Sequence, residues 1–238
     1  MREIIAIHGW GGDKQIWKAW EEYFTINGWL WQNFERGYGE EKPSQPNWNF
    51  SCTANNQRVL LCHSLGTHLI DKQILKAATD IVLISSFSSF IPNDKNNRPL
   101  KIGLKGMYRA FGTSQEQKML HTFFKKACDP HTITKLPSIP ITQNLSIKGR
   151  EKLKQDLIML MNTNGLPPDF PKHAAVLKIY SEEDLIVSPS ADILLLKDLQ
   201  KHLKNEPISW VISGGGHYLI IMPEIIQRVE RWLVEVYK

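Results

Sequence analysis

Three stretches of this 238-residue chain are short, uninterrupted apolar runs: Ile4-Ile5-Ala6-Ile7, Val59-Leu60-Leu61 and Ile81-Val82-Leu83-Ile84. A strand with one wet face alternates apolar and polar residues, so runs without alternation predict strands buried on both sides. Ala175-Val176-Leu177-Lys178-Ile179-Tyr180, Ile208–Ile212 and Trp29-Leu30-Trp31 add three more strand candidates. Between them lie helical patterns. Ile16, Trp20 and Phe24 share one stripe at i, i+4 and i+8, and Leu65–Ala78, Ser190–Leu203 and Pro223–Val236 also read as helices. Strand–helix alternation of this kind predicts an α/β body around a mostly parallel sheet.

The alternation stops near Ser86 and resumes after Pro171, which predicts a core of residues 1–86 and 173–238 split by a helical insertion of residues 87–172. Within the insertion, Ser114 and Gln117 have capping-box spacing, and Arg150–Met161 reads as a helix ending before Gly165-Leu166-Pro167-Pro168. Charge divides the same way. The insertion holds 14 Lys and Arg against 6 Asp and Glu, a net of +8, while the rest holds 15 against 18, a net of −3. A basic segment on a mildly acidic body suits an acidic partner.

An apolar fraction of 42% excludes wholesale disorder. No run approaches the roughly 18 apolar residues of a membrane span, and the segment before His8-Gly9 is too short for a secretory signal. Three cysteines, Cys52, Cys62 and Cys128, have no metal-site spacing and give no disulfide framework, which fits a reducing cytoplasm. No helix-turn-helix, zinc or RNP pattern supports nucleic-acid binding.

The chemistry centres on Cys62-His63-Ser64-Leu65-Gly66, set between a buried strand and a helix. A serine flanked by small residues two positions either side describes a nucleophile elbow, here with Cys62 where glycine is usual. The plainer alternative is a helix N-cap serine. A serine nucleophile needs a base, and His217 in Ser213-Gly214-Gly215-Gly216-His217 sits on a compact loop after a strand. The base needs an orienting acid. Glu182, Glu183 and Asp184 compete after the strand ending at Tyr180, and Asp184, nearest the apolar return, is preferred. The order Ser64, Asp184, His217 is that of α/β-hydrolases. Oxyanion donors would be the backbone N–H groups of Leu65 and of Trp10 in His8-Gly9-Trp10-Gly11-Gly12. His63, as Ser64's neighbour, is expected to point away from the site, and the remaining histidines to be structural or solvated.

Together with Glu35-Arg36-Gly37-Tyr38-Gly39 after the second strand, these motifs resemble the α/β-hydrolase superfamily over nearly the whole chain. The resemblance implies a mostly parallel sheet with helices on both faces and a helical cap. Within the superfamily the chain is similar to the pimeloyl-[acyl-carrier protein] methyl ester esterases of biotin synthesis, through His-Gly-Trp-Gly, His-Ser-Leu-Gly, size and a basic cap. This similarity implies an ester hydrolase with no metal and no cofactor, acting on a carrier-bound acyl chain. It places Trp10, Phe123 and Phe124 along the acyl channel. An acidic acyl-carrier protein would dock on Lys118, Lys125, Arg150 and Lys154. A general carboxylesterase or thioesterase, a menaquinone-pathway type of hydrolase or lyase, and a non-catalytic binder of the same fold remain alternatives.

Overall fold

The computed structural model describes residues 1–49, 56–93, 97–137 and 145–235. Cys52 and Val236 lie outside the described residues. Among the described residues six strands, β1 (Arg2–Ile7), β2 (Leu30–Asn33), β3 (Gln57–His63), β4 (Asp80–Ile84), β5 (Ala175–Ser181) and β6 (Ile208–Ile212), form one parallel sheet. Their order across the sheet is β2-β1-β3-β4-β5-β6. The uninterrupted apolar runs are the interior strands, and every residue of β3 and β4 is buried. Exposure concentrates on the edge strands β2 and β6.

The helices are α1 (Lys18–Ile26), α2 (Gly66–Leu69), α3 (Lys72–Lys76), α4 (Arg98–Ala110), α5 (Glu116–Cys128), α6 (Ile147–Asn162), α7 (Pro189–His202) and α8 (Pro223–Glu235). From β1 the chain steps one way across the sheet to β2, whereas β3 to β4 and β5 to β6 step the other way. Crossovers between parallel strands are right-handed, so α1 covers one face and α2, α3 and α7 the other. The last helix, α8, packs beside α1. On this side Trp17, Trp20, Phe24 and Trp29 form a buried aromatic cluster, and Trp20 Nε1 donates to the Ile220 carbonyl at 2.7 Å. Removing one such ring would cost about 3–5 kcal/mol. Lys178, the one charge in the β5 run, is buried and paired with Asp192 of α7.

Two local expectations give way to stronger interactions. The helix predicted over Leu65–Ala78 breaks at Ile70, which is extended, and restarts where the Asp71 carboxylate accepts the Gln73 N–H at 2.7 Å. The capping box at Ser114 does not form. Helix α5 begins instead at Glu116, whose carboxylate accepts the Gly112 N–H at 2.6 Å and two guanidinium N–H groups of Arg150 at 2.6 and 3.0 Å. A bidentate charge-assisted pair outweighs a neutral cap.

Helices α4, α5 and α6 all lie between β4 and β5, and α4 packs on both others. Helix α6 is fastened to the core by the loop after β2. Asp156, fully buried, accepts Arg36 Nε and Nη2 at 2.7 and 2.6 Å and the Tyr38 hydroxyl at 2.7 Å. Backbones also meet there: a Cβ placed on Gly149 would stand 1.8 Å from the Tyr38 carbonyl oxygen. Gly149→Ala is therefore expected to lower stability by about 1–3 kcal/mol, as overpacking does. Urea unfolding followed by circular dichroism checks this.

Candidate active site

The direction of strand progression reverses between β1 and β3. At such a switch point the connections leaving the two carboxyl ends diverge and open a crevice. The turn after β1 carries Gly9 and Trp10, and the turn after β3 carries Ser64. The two turns are pressed together. A Cβ on Gly66 would lie 2.8 Å from the Ile7 carbonyl oxygen, so no larger residue fits where the elbow meets β1. Ser64 has φ 54°, in the left-handed region that non-glycine residues rarely occupy. Its N–H donates to the Ile84 carbonyl at 2.9 Å, which ties the strained turn to β4. An N-cap serine would instead adopt extended backbone, and here the residue preceding α2 is Leu65, without a side-chain cap. Cys62 fits at the first small position because its thiol is buried in the sheet, and burial pushes its pKa up to about 12.

The polar turn after β5 sorts the three carboxylates. Asp184 is buried; its Oδ1 accepts the N–H groups of Ile186 and Val187 at 2.8 and 2.9 Å, and its Oδ2 lies 2.9 Å from His217 Nδ1. Glu183 turns back to accept the Ser181 hydroxyl at 2.7 Å, and Glu182 is exposed. Because a carboxylate only accepts, Nδ1 of His217 carries the proton and Nε2 keeps a lone pair. Ser181 Oγ accepts the Gly216 N–H at 3.1 Å and so pins the His217 loop to the end of β5.

His63 does not point away from the site. Its ring lies 4.9 Å from that of His217, centroid to centroid, and its Nε2 donates to the His217 carbonyl at 3.1 Å. It thus joins the residue before Ser64 to the loop that carries His217. Burial, reinforced by the neighbouring His217, holds the His63 imidazole well below its ordinary value, so it acts as a neutral donor. No hydrogen bond joins Ser64 Oγ to His217 Nε2 among the described residues. Such contacts commonly tighten only when substrate binds.

The backbone N–H groups of Trp10 and Leu65 are buried and take no hydrogen-bond acceptor among the described residues. Two unsatisfied donors on turns that meet at Gly9 and Ser64 suit an external anionic oxygen. The Trp10 indole turns toward the helices above. Its Nε1 donates to the Leu153 carbonyl of α6 at 2.8 Å, and its ring meets Phe123 of α5 edge-on at 4.9 Å and Phe111 at 6.3 Å. Phe124 is buried behind Phe123 and has no ring contact with Trp10. Phe111 and Leu153 carried no sequence signal, since one is a lone aromatic after a helix and the other acts through its backbone.

Of the four cations expected to meet a carrier protein, Lys118 and Lys125 are exposed on α5. Arg150 is held by Glu116, and Lys154 Nζ lies 5.3 Å above the Tyr108 ring. Arg150 therefore stands partly exposed and already paired with a carboxylate of the same segment.

No family model and no curated protein matches the sequence. Solved structures do match. An esterase from Exiguobacterium antarcticum superposes with a TM-score of 0.67 at 12% identity, covering 98% of this chain and 92% of that one. A thermophilic esterase from Thermogutta terrifontis gives 0.66 at 15% identity, over 100% and 91% of the two chains. An esterase from a Rhodococcus species gives 0.61 at 14%, over 98% and 90%. The chain has the α/β-hydrolase fold. Among the described residues no helix is long and apolar enough to cross a membrane.

The depressed imidazole of His63 has a consequence for stability. Below about pH 6.5 the unfolded chain takes up a proton there that the native site resists, so stability is present above that pH and is lost as pH falls toward the lower native value. One such proton gives a slope of up to about 1.4 kcal/mol per pH unit. His63→Gln, which keeps a donor near Nε2, is expected to show a shallower loss between about pH 7 and pH 5 in urea titrations.

Proposed function

We propose that this protein is a carboxylic ester hydrolase in which Ser64 is the nucleophile, His217 the base and Asp184 the orienting acid. The N–H groups of Trp10 and Leu65 hold the oxyanion. One observation carries the reading above all: the imidazole of His217, fixed through Nδ1 by buried Asp184, stands at the same sheet edge as a serine in a left-handed turn. The similar solved structures include several esterases, in keeping with this chemistry.

In the proposed reaction Ser64 Oγ attacks the ester carbonyl as Nε2 of His217 takes its proton. The tetrahedral oxygen gains charge opposite the two N–H groups, and Asp184 stabilises the imidazolium. Collapse breaks the bond to the alcohol oxygen, which leaves with the proton from His217. Water then attacks the acyl-enzyme by the same route, giving a free acid and the original serine.

For the substrate we propose the methyl ester of a pimeloyl chain on an acyl-carrier protein, following the resemblance in the motifs. Residues 87–172 would act as the cap, with Trp10 and Phe123 lining the acyl channel. The acidic carrier would be steered by the basic segment, chiefly through Lys118 and Lys125, since Arg150 is already paired. Its location would be cytoplasmic, where such carriers work.

Two measurements test these levels separately. Ser64→Ala is expected to lower kcat on p-nitrophenyl acetate by about 10⁴-fold or more, with an unchanged circular dichroism spectrum; retained turnover removes the serine mechanism. For the substrate, kcat/KM on the carrier-bound methyl ester should exceed that on free dimethyl pimelate. The advantage should shrink as salt rises from about 50 to 500 mM, because steering by exposed lysines is screened. Equal values for both substrates would point to a general carboxylesterase.

A further inference from the structure

The turn that carries Trp10 is gripped from two sides by one continuous set of bonds. On the core side the link is Glu35, in the loop after β2. Its carboxylate accepts the N–H groups of Lys14 and Gly37 at 2.9 and 2.7 Å, and Oε1 lies 3.7 Å from His8 Nε2. His8 Nε2 also accepts the Arg36 N–H at 3.2 Å, while its Nδ1 donates to the Gly9 carbonyl at 2.9 Å.

On the other side the link is α6, whose Leu153 carbonyl receives the Trp10 indole. The same loop that carries Glu35 closes the circuit. Arg36 and Tyr38 both bind Asp156, three residues beyond Leu153, and Lys152 Nζ donates to the Arg36 carbonyl at 2.7 Å. Asp156 and Tyr38 are fully buried, so the Tyr38 hydroxyl and the carboxylate it meets have little water to turn to instead, while the Arg36 guanidinium is partly exposed. Burial, together with the Asp156 charge, keeps the Tyr38 hydroxyl well above its ordinary pKa and therefore a donor.

We propose that Arg36, Tyr38 and Asp156 are positioning residues for the reaction, a clamp that sets α6 so that its Leu153 carbonyl holds Trp10 with its backbone N–H aimed at the oxyanion. The inference rests on the reading of that N–H as an oxyanion donor. Arg36 and Tyr38 do not touch the reacting atoms. Their effect reaches the site through one helix and one indole. A displacement of about 1 Å at a catalytic donor can cost on the order of 100-fold in rate, so a small rotation of α6 would be felt chiefly in kcat.

The test compares Asp156→Asn and Tyr38→Phe with Asp192→Asn, which breaks the buried Lys178–Asp192 pair on the opposite part of the sheet. The Tyr38 variant removes a single hydroxyl and gives a second route if Asp156→Asn does not fold. Each variant is assayed well below its Tm with p-nitrophenyl butyrate. A trifluoromethyl ketone, whose serine adduct places a charged oxygen between the two N–H groups, is used as inhibitor. The clamp variants are expected to lose about 10-fold or more in kcat with KM within about twofold, and to bind the ketone more weakly by the same factor. Asp192→Asn should lose Tm but keep kcat and ketone affinity. Clamp variants with wild-type kcat and ketone affinity, in a wild type that turns over ester and loses it with Ser64→Ala, overturn the positioning role alone. A wild type that neither hydrolyses the ester nor binds the ketone overturns the esterase reading and this inference together.

Discussion

Everything at the carboxyl edge of the sheet depends on the approach of two backbones, the turn leaving β1 and the elbow leaving β3. Gly66 lies so near the Ile7 carbonyl that a methyl group could not come between them. That contact sets Ser64 against Gly9 and puts two buried residues, Trp10 and Leu65, whose N–H groups take no acceptor among the described residues, on adjoining turns. The left-handed backbone of Ser64 is the cost, of order 1–3 kcal/mol, and the hydrogen bond to Ile84 and the all-buried strands on either side offset it. A rigid sheet is what permits such a strained turn to persist.

From that contact, order spreads outward in hydrogen bonds rather than in apolar area. Asp184 gives all its acceptor capacity on one side to two backbone N–H groups, which leaves the other oxygen fixed for His217. His63 and Ser181 hold the loop of His217 from beneath and from β5. On the far side Glu35, Arg36, Tyr38 and Asp156 tie the β1 turn, the β2 loop and α6 into one unit. The helices between β4 and β5 are thus not an independent layer. Trp10 ties them to the turn after β1, its ring touching Phe123 and Phe111 and its indole bonding the Leu153 carbonyl.

Much of this could be read before any coordinates. Unbroken apolar runs reveal interior strands, because burial on both faces removes the need for alternation, and the elbow pentapeptide marks the tight turn by its small residues. His217 was legible from its glycine-rich loop after a strand, and Asp184 from its place before an apolar return. What misled was sequence adjacency. As the sequence neighbour of Ser64, His63 is expected to point away, yet its ring meets that of His217 and bonds the His217 carbonyl. Helical spacing puts Arg150 and Lys154 on one face, whereas the pairing of Arg150 with Glu116, 34 residues away, is invisible to that pattern.

By itself the sequence determined the local pieces: which runs become buried strands, which serine sits in a turn too tight for large neighbours, and which polar loops end the strands. These depend on burial and backbone geometry within a few residues, so a linear reading reaches them. Only the tertiary structure decided that Asp184 Oδ2 meets the imidazole of His217 at bonding distance, that Glu116 pairs with Arg150, and that Asp156 is clamped by Arg36 and Tyr38. Those outcomes depend on distances of a few ångströms between residues more than 30 positions apart. Electrostatic and hydrogen-bonding energies vary steeply over such distances, and no spacing along the chain encodes them.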